Sequence, residues 1–221
     1  MKILIIGDSI GLPRFHHERA EVEAFYEDTY PEQLRELARH RFPGEDVHVL
    51  NRSAHANTTI YLRNGAANEL FFFRPDFLIL ELGMADLWPR KPSENGGQPE
   101  LPWVPVEEFE DLLVRFLNLA ATFPLLHTIL VSIPCASVEQ YARHSGALER
   151  TKSYNRTLQR LALRPQVSLV DAFTLFFELG ELAHGSDGIH PSRCASRFLA
   201  EQLLERIVVA RESAPDSRRA M

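Results

Sequence analysis

The sequence predicts an α/β protein in which helices cover both faces of a parallel sheet. Five short apolar runs recur along the chain, and they are nearly continuous rather than alternating, which is typical of strands buried on both faces. Helical patterns separate the runs, and this alternation favours parallel strands joined by right-handed crossovers. Because the 221 residues contain no internal repeat and no second apolar core, we expect one domain over residues 1–212.

The predicted strands are rich in Ile, Leu and Val, and each is bounded by polar or turn residues. Periodic apolar positions between them mark the helical faces. The strands are KILIIG from Lys2, VHVLN from Val47, FLILELG from Phe77, TILVSIP from Thr128 and VSLVDAF from Val167. The helical positions are Leu34, Leu37, Ala38 and Phe42; Leu62, Ala66 and Leu70; Phe109, Leu112, Leu113, Phe116, Leu117 and Ala120; Tyr154, Leu158 and Leu161; and Ala195, Phe198, Leu199, Leu203 and Ile207.

Two helices carry recognisable start signals. Thr29 and Glu32 have the spacing of a capping box, with Pro31 in the first turn. Ser137 is expected to cap a long helix that is interrupted near Gly146.

Two connections, 10–30 and 86–105, are longer than ordinary turns between a strand and a helix. Both follow strands, so both are expected at the carboxyl edge of the sheet, where open α/β folds bind ligands. The second is rich in Pro and Gly, and we interpret it as a loop that covers a substrate. The alternative is a surface excursion stiffened by proline. Residues 213–221 are expected to form a disordered tail.

Composition argues against several classes of protein. A formal net charge of -6 disfavours a nucleic-acid partner, because phosphate binding needs clustered Lys and Arg. No apolar stretch approaches the roughly 20 residues of a membrane span, and no leader-like segment precedes the first strand. Cys135 and Cys194 have no metal-ligand spacing and make no disulfide framework. We therefore expect a soluble, cytoplasmic protein without nucleic-acid or membrane partners.

Ser9 follows the first apolar run, in the sequence GDS. A serine hydroxyl is a weak nucleophile until a base takes its proton, and that base works best when a carboxylate fixes its tautomer. In GSDGIHPS, Asp187 precedes His190 by three residues, so one tight turn can lay the carboxylate beside the imidazole. This segment follows the fifth strand and returns to the sheet edge that carries Ser9.

The order and placement of GDS at residues 7–9 and DGIH at residues 187–190 resemble the SGNH, or GDSL-type, hydrolase superfamily. The resemblance spans almost the whole chain and implies a three-layer, flavodoxin-like sandwich with strand order 2-1-3-4-5. It implies that Ser9 is the nucleophile, His190 the general base and then acid, and Asp187 the orienting carboxylate. It implies no metal and no organic cofactor.

Two middle motifs depart from the family pattern. The family usually completes its oxyanion hole, beside the amide of the nucleophile, with a glycine amide after strand two and an asparagine side chain after strand three. Here Ser53 stands at the glycine position and can still donate its backbone N–H, but Ala85 replaces the asparagine. Losing one donor typically costs about 10²–10³ in turnover. Either another group substitutes, with Asn57 or a loop amide as candidates, or catalysis is weak or of another kind.

Arg14 and Arg90 each follow a proline beyond strands one and three. We hypothesise that their guanidinium groups bind a carboxylate or phosphate of the substrate, or help to stabilise the oxyanion. The alternative is two solvated arginines in long loops. Asp86 and Trp88 are further candidates for substrate binding, and Trp88 and Trp103 are candidate stacking surfaces for a sugar.

These observations predict a serine esterase that forms an acyl-enzyme on Ser9. A short-chain ester, such as an acetyl group on a sugar, is the first substrate candidate. One alternative is an acyltransferase that passes the acyl group to a sugar hydroxyl. The other is a non-catalytic binder of an anionic sugar or related metabolite, which Ala85 favours and the intact set of Ser9, Asp187 and His190 disfavours.

Overall fold

The five predicted strands form one parallel sheet. The computed structural model describes residues 1–16, 21–88 and 103–213. The strands of the sheet are β1 (Lys2–Gly7), β4 (His48–Asn51), β5 (Phe77–Glu81), β6 (His127–Val131) and β7 (Val167–Val170). They lie in the order β4-β1-β5-β6-β7, which is 2-1-3-4-5 when only the strands of this sheet are counted, so the predicted order is confirmed.

Helices cover both faces of the sheet, as the apolar stripes predict. In the described residues they are α1 (Tyr30–Arg41), α2 (Ile60–Asn64), α3 (Ala66–Phe73), α4 (Val106–Ala120), α5 (Val138–Arg143), α6 (Ala147–Leu161), α7 (Ala172–Leu179) and α8 (Arg193–Glu212). Helices α1 and α8 pack on each other, while α4 packs on α2 and α6. The central strands β1, β5 and β6 are almost wholly buried between these two layers, whereas β4 and β7 form the partly exposed edges of the sheet. This arrangement is a three-layer α/β/α sandwich.

Local capping explains where several helices begin. Ser137 accepts a hydrogen bond from the Gln140 amide at 3.3 Å and starts α5, and the predicted interruption is confirmed because Gly146 adopts a left-handed φ of 76° between α5 and α6. The predicted capping box is wrong. The Thr29 hydroxyl donates instead to the Tyr26 carbonyl at 2.8 Å, although α1 does begin directly after Thr29.

The long connection over residues 10–30 contains structure that the sequence patterns did not predict. It includes a two-stranded antiparallel hairpin of β2 (Arg14–His16) and β3 (Glu21–Ala24). Most of the predicted covering loop, residues 89–102, lies outside the described residues, as do residues 214–221 of the predicted tail. Of the helices that the structure describes, none is long and apolar enough to cross a membrane.

Candidate active site

Ser9 lies two residues beyond the end of β1, at the first position of a 3-10 turn over Ser9–Gly11. Asp8 caps this turn, because its Oδ1 accepts a hydrogen bond from the Ile10 amide at 3.0 Å. The first amides of a helical turn have no acceptor within the turn itself. The Ser9 N–H is therefore not consumed by the turn that presents the Ser9 hydroxyl.

The structure brings Ser9, His190 and Asp187 together in one hydrogen-bonded relay. His190 Nε2 lies 2.8 Å from Ser9 Oγ, and His190 Nδ1 lies 2.5 Å from Asp187 Oδ2. Asp187 holds the imidazole so that its Nε2 faces the serine. This is the arrangement that a serine nucleophile, its base and an orienting carboxylate need.

A closed loop carries Asp187 and His190. His184 and Pro191 form an antiparallel bridge at its base, and the Gly185 amide donates to the His190 carbonyl at 2.9 Å. Gly188 has a φ of 69°, a left-handed conformation that glycine adopts without the steric cost of a Cβ. This turn allows a separation of three residues to place the carboxylate beside the imidazole.

The Asp187 carboxylate is held in its ionised form. Its second oxygen, Oδ1, accepts hydrogen bonds from the Ile189 and His190 amides, both at 2.9 Å. Burial alone would raise the pKa of Asp187. The hydrogen bond and charge of His190, with these two amides, outweigh burial and hold the pKa well below its usual range. Asp187 is thus able to accept from the imidazole N–H and to stabilise its protonated form.

The N-terminal end of helix α5 contacts the same loop. The Gln140 side chain donates from Nε2 to the Asp187 carbonyl at 2.6 Å, and the Ser137 amide donates to the Gly188 carbonyl at 2.7 Å. Sequence reasoning missed Gln140, because nothing in its local pattern distinguishes it from any other polar residue in a helix.

Two buried carboxyl groups lie next to the serine turn. The Asp8 amide donates to Glu81 Oε2 at 3.3 Å, and Asp8 Oδ2 accepts from the Ala85 amide at 3.3 Å. Burial raises the pKa of Asp8 to about 6 against the effect of its amide hydrogen bonds. Burial and the charge of Asp8 raise the pKa of Glu81 well above its usual range. A single Glu in the otherwise apolar strand FLILELG was the available sequence signal for this pair.

The predicted oxyanion donors are largely engaged elsewhere. The amide of Ser53, a predicted oxyanion donor, donates to Asn51 Oδ1 at 2.9 Å, so its single hydrogen already has an acceptor. The Asn57 side chain donates from Nδ2 to the Gly7 carbonyl at 3.0 Å, at the end of the strand that leads to Ser9. Since an amide nitrogen carries two hydrogens, Asn57 keeps one donor beyond this bond.

The structure describes one member of the proposed arginine pair, Arg14. Arg14 Nε lies 2.5 Å from Glu23 Oε2, and its Nη2 donates to the Pro191 carbonyl at 3.3 Å. The charge of Arg14 is therefore paired within the protein, so it is neither a free anion-binding group nor a solvated side chain. Arg90, the other predicted member, lies outside the described residues.

Asp86 was predicted to bind substrate, and the structure places its carboxylate on Thr59. Its side chain is buried, and Oδ1 and Oδ2 accept from the Thr59 amide at 3.0 and 3.1 Å. The Thr59 hydroxyl also donates to Oδ1 at 2.6 Å. Asp86 therefore binds the segment that starts α2.

The two tryptophans differ in their surroundings. Trp88 is partly buried against the core, with its ring 4.7 Å from that of His144 between centroids. Trp103 is 43% exposed, and the Arg150 guanidinium lies 4.4 Å from its ring centroid. Of these two tryptophans, Trp103 has the exposed ring, which is the kind of surface that stacks on a sugar. Within the described residues, no group of three or more His, Cys, Asp or Glu side chains is placed to hold a metal ion.

Comparison with known proteins agrees with this architecture. The sequence profile of the GDSL-like lipase/acylhydrolase family matches residues 5–194. Among solved structures, a lipase/acylhydrolase from Enterococcus faecalis has a TM-score of 0.72 at 17% identity, over 93% of this chain and 94% of that one. An acetyl xylan esterase from Geobacillus stearothermophilus has a TM-score of 0.69 at 22% identity, over 93% and 94%. No curated protein matches by sequence search.

At these low identities the solved structures support the fold alone. The family profile supports family membership, because its match covers most of the chain. The match runs from within β1 through the loop that carries Asp187 and His190. The chain therefore belongs to the GDSL-like lipase/acylhydrolase family and is a hydrolase that acts on ester bonds.

Proposed function

We propose that the protein is a serine esterase that works through an acyl-enzyme on Ser9. The observation that carries the proposal is the relay in which His190 Nε2 lies 2.8 Å from Ser9 Oγ and His190 Nδ1 lies 2.5 Å from Asp187 Oδ2. Both distances are short enough for proton transfer or strong hydrogen bonding without rearrangement.

In the first half-reaction, Ser9 Oγ forms a bond to the carbonyl carbon of the ester. Its proton passes to His190 Nε2, and the carbonyl oxygen becomes an oxyanion. Asp187 stabilises the imidazolium that results. When the tetrahedral intermediate collapses, the bond between carbon and the alkoxy oxygen breaks, and His190 Nε2 returns the proton to the leaving alcohol.

In the second half-reaction, water replaces the alcohol. His190 Nε2 takes a proton from the water as its oxygen attacks the acyl carbon. Collapse of this second intermediate breaks the bond to Ser9 Oγ, and the proton on Nε2 goes to the serine oxygen. The carboxylic acid leaves and the enzyme returns to its starting state.

The oxyanion in this scheme is stabilised by the Ser9 amide and by the second N–H of Asn57. The Ser9 amide begins a helical turn that provides no acceptor for it. Asn57 Nδ2 is anchored to the Gly7 carbonyl, two residues before the nucleophile, which holds the amide group near the end of β1. The side-chain amide of Asn57 then takes the place of the donor that Ala85 lacks.

We propose a small acyl ester as the substrate, with an acetylated carbohydrate as the first candidate. Two of the structurally similar proteins are acetyl xylan esterases. The exposed ring of Trp103 adds a surface on which a sugar can stack.

The test compares wild type with Ser9→Ala and His190→Ala in hydrolysis of p-nitrophenyl acetate and of acetylated xylo-oligosaccharides. We expect both variants to lose about 10⁴-fold or more in kcat on both substrates. Activity on the aryl ester but not on the acetylated oligosaccharides would support the proposed esterase activity and exclude an acetylated xylo-oligosaccharide as its substrate. Ser9→Ala with wild-type activity would overturn the acyl-enzyme on Ser9, and an inactive wild type would favour a non-catalytic binder.

A further inference from the structure

We infer that Arg14 and Glu23 are positioning residues for the catalytic histidine and aspartate, because together they tie the β2–β3 hairpin to both sides of the loop that carries them. The inference rests on the proposed roles of Ser9 and His190. It gives a function to the hairpin, which stands outside the main sheet and is formed by a segment of the first long connection.

Arg14 holds the loop just after His190. Its Nη2 donates to the carbonyl of Pro191, the residue that follows the histidine, at 3.3 Å. Its Nε is paired with Glu23 Oε2 at 2.5 Å, across the hairpin. A guanidinium group suits this task because its donors have a fixed, planar arrangement and can bind a carboxylate and a carbonyl at once.

Glu23 holds the loop just before Asp187. Its other oxygen, Oε1, accepts from the Ser186 amide at 3.3 Å, while Oε2 binds Arg14. The ion pair thus contacts the residue before Asp187 and the residue after His190. Loop and hairpin also approach closely at Gly185, where a Cβ would meet the Arg14 guanidinium. The absence of a side chain at Gly185 lets Arg14 lie against the loop backbone.

Burial strengthens the attraction between these two charges relative to that in an exposed ion pair, at the cost of desolvating both side chains. The side chains of Arg14 and Glu23 are only 13% and 12% exposed, so water screens their attraction weakly. Burial opposes ionisation of Glu23, but hydrogen bonds from Ser186 and Arg14 and the charge of Arg14 lower its pKa below the usual value. The carboxylate therefore remains charged while it binds the loop.

The consequence for catalysis follows from the geometry of the relay. The contact between His190 Nε2 and Ser9 Oγ joins two segments 181 residues apart, so its length depends on how firmly the loop is held. A misplacement of about 1 Å in a catalytic group can cost about 10²-fold in rate. Without the ion pair, the loop keeps its support from α5 but loses its attachment to the hairpin.

The experiment compares Arg14→Ala, Glu23→Ala and the double variant with wild type. The control is Arg35→Ala. Arg35 also pairs with a glutamate, Glu32, at 2.5 Å and also donates to a backbone carbonyl, that of Val49 at 2.9 Å, but it lies in α1 and binds β4 instead of the loop. The measurements are kcat and KM for p-nitrophenyl acetate, the rate constant for labelling by a fluorophosphonate, and Tm.

We expect Arg14→Ala and Glu23→Ala each to lower kcat and the labelling rate constant by about 10–100-fold, with KM nearly unchanged. The double variant should lose no more than about twofold beyond the larger single loss, since the two side chains act as one unit. Arg35→Ala should lower Tm to a similar extent and keep the wild-type labelling rate.

Labelling of Arg14→Ala at the wild-type rate, or an equal loss in Arg35→Ala, would overturn the inference. Gly185→Ala provides a second variant, because it keeps both charged residues but displaces the guanidinium from the loop; it should reproduce the loss in kcat. Ser9→Ala separates this inference from the proposed function. If Ser9→Ala is inactive while the hairpin variants are unaffected, the inference alone fails; if Ser9→Ala is active, the proposed function fails.

Discussion

The loop that carries Asp187 and His190 and the segments that follow β4 and β5 are organised in opposite ways. In the loop, side chains of α5 and of the hairpin bind the backbone of the segment that carries one imidazole and one carboxylate. In the second region, the polar groups bind one another: the Ser53 amide binds Asn51, the Ala85 amide binds Asp8, and Asp86 binds Thr59.

This difference between the two regions corresponds to two separate requirements of catalysis. Activation of the serine needs a base and a carboxylate held in a fixed hydrogen-bonding geometry, and the loop supplies both. Stabilisation of the oxyanion needs donors that are still unused when the substrate arrives. In the second region most of the candidate donors already have acceptors. We therefore expect this enzyme to be strong in nucleophile activation and dependent on very few oxyanion donors.

The largest expected effect comes from the loop. Asp187→Asn should lower kcat by about 10³–10⁴-fold, because an amide nitrogen facing His190 Nδ1 favours the wrong tautomer of the imidazole. The fold should persist, since the remaining oxygen can still accept from the Ile189 and His190 amides. The measurement is kcat for p-nitrophenyl acetate together with Tm. A loss below tenfold would mean that Asp187 does not orient the base.

The pH profile of the wild-type enzyme gives a further check on the same residue. Because the hydrogen bond and charge of His190 and two amides hold the pKa of Asp187 well below its usual range despite burial, the carboxylate stays ionised throughout the working range. No titration of Asp187 should therefore appear in kcat/KM above about pH 5.

A smaller effect is expected in the second region. Asn57→Ala should lower kcat by about 10²-fold with little change in KM, because it removes one of few donors to the oxyanion. Ser53→Ala is the matched control in the same segment: it keeps the backbone amide, which is already bonded to Asn51, and should change kcat by less than about threefold. Equal losses in the two variants would remove Asn57 from the oxyanion hole.

The smallest expected effect is on stability, and it comes from the two buried acids, Asp8 and Glu81. The folded protein favours the protonated forms of Asp8, whose pKa burial raises to about 6, and of Glu81, whose pKa burial and the charge of Asp8 raise well above its usual range. Their contribution to stability is thus complete at low pH and is lost as the pH rises through these pKa values. Glu81→Gln removes one of the two titrations while keeping an acceptor for the Asp8 amide.

We expect the Tm of Glu81→Gln to exceed that of wild type by a few degrees at about pH 8 and to approach it at about pH 4. Thermal unfolding of both proteins across this range measures the difference. A constant difference at all pH values would show that Glu81 is not protonated preferentially in the fold.

The sequence was most informative where partners are close together along the chain. Asp187 and His190 are three residues apart in one turn, so their contact follows from local geometry. The sheet was predictable for a similar reason, because the apolar residues within each strand indicate locally that the strand is buried. Ser9 and His190 lie at opposite ends of the chain; strand order predicted that they share one edge of the sheet, and the family resemblance implied their roles.

Side chains with distant partners were not predictable. Arg14 and Asp86 had suitable chemistry for a substrate, but Glu23 and Thr59 bind them through tertiary contacts. No local pattern distinguishes a charged group that meets a ligand from one that meets another part of the chain. The hairpin β2–β3 was missed because its strands are only three and four residues long and lie in a connection rich in polar residues.

Mass spectrometry of the protein after exposure to a fluorophosphonate tests the central claim most directly. Activation of Ser9 by His190 predicts one covalent adduct, on the peptide that contains Ser9, formed at least about 10³-fold more slowly in His190→Ala and absent in Ser9→Ala. An unmodified wild-type protein, or an adduct on a residue other than Ser9, would contradict the claim.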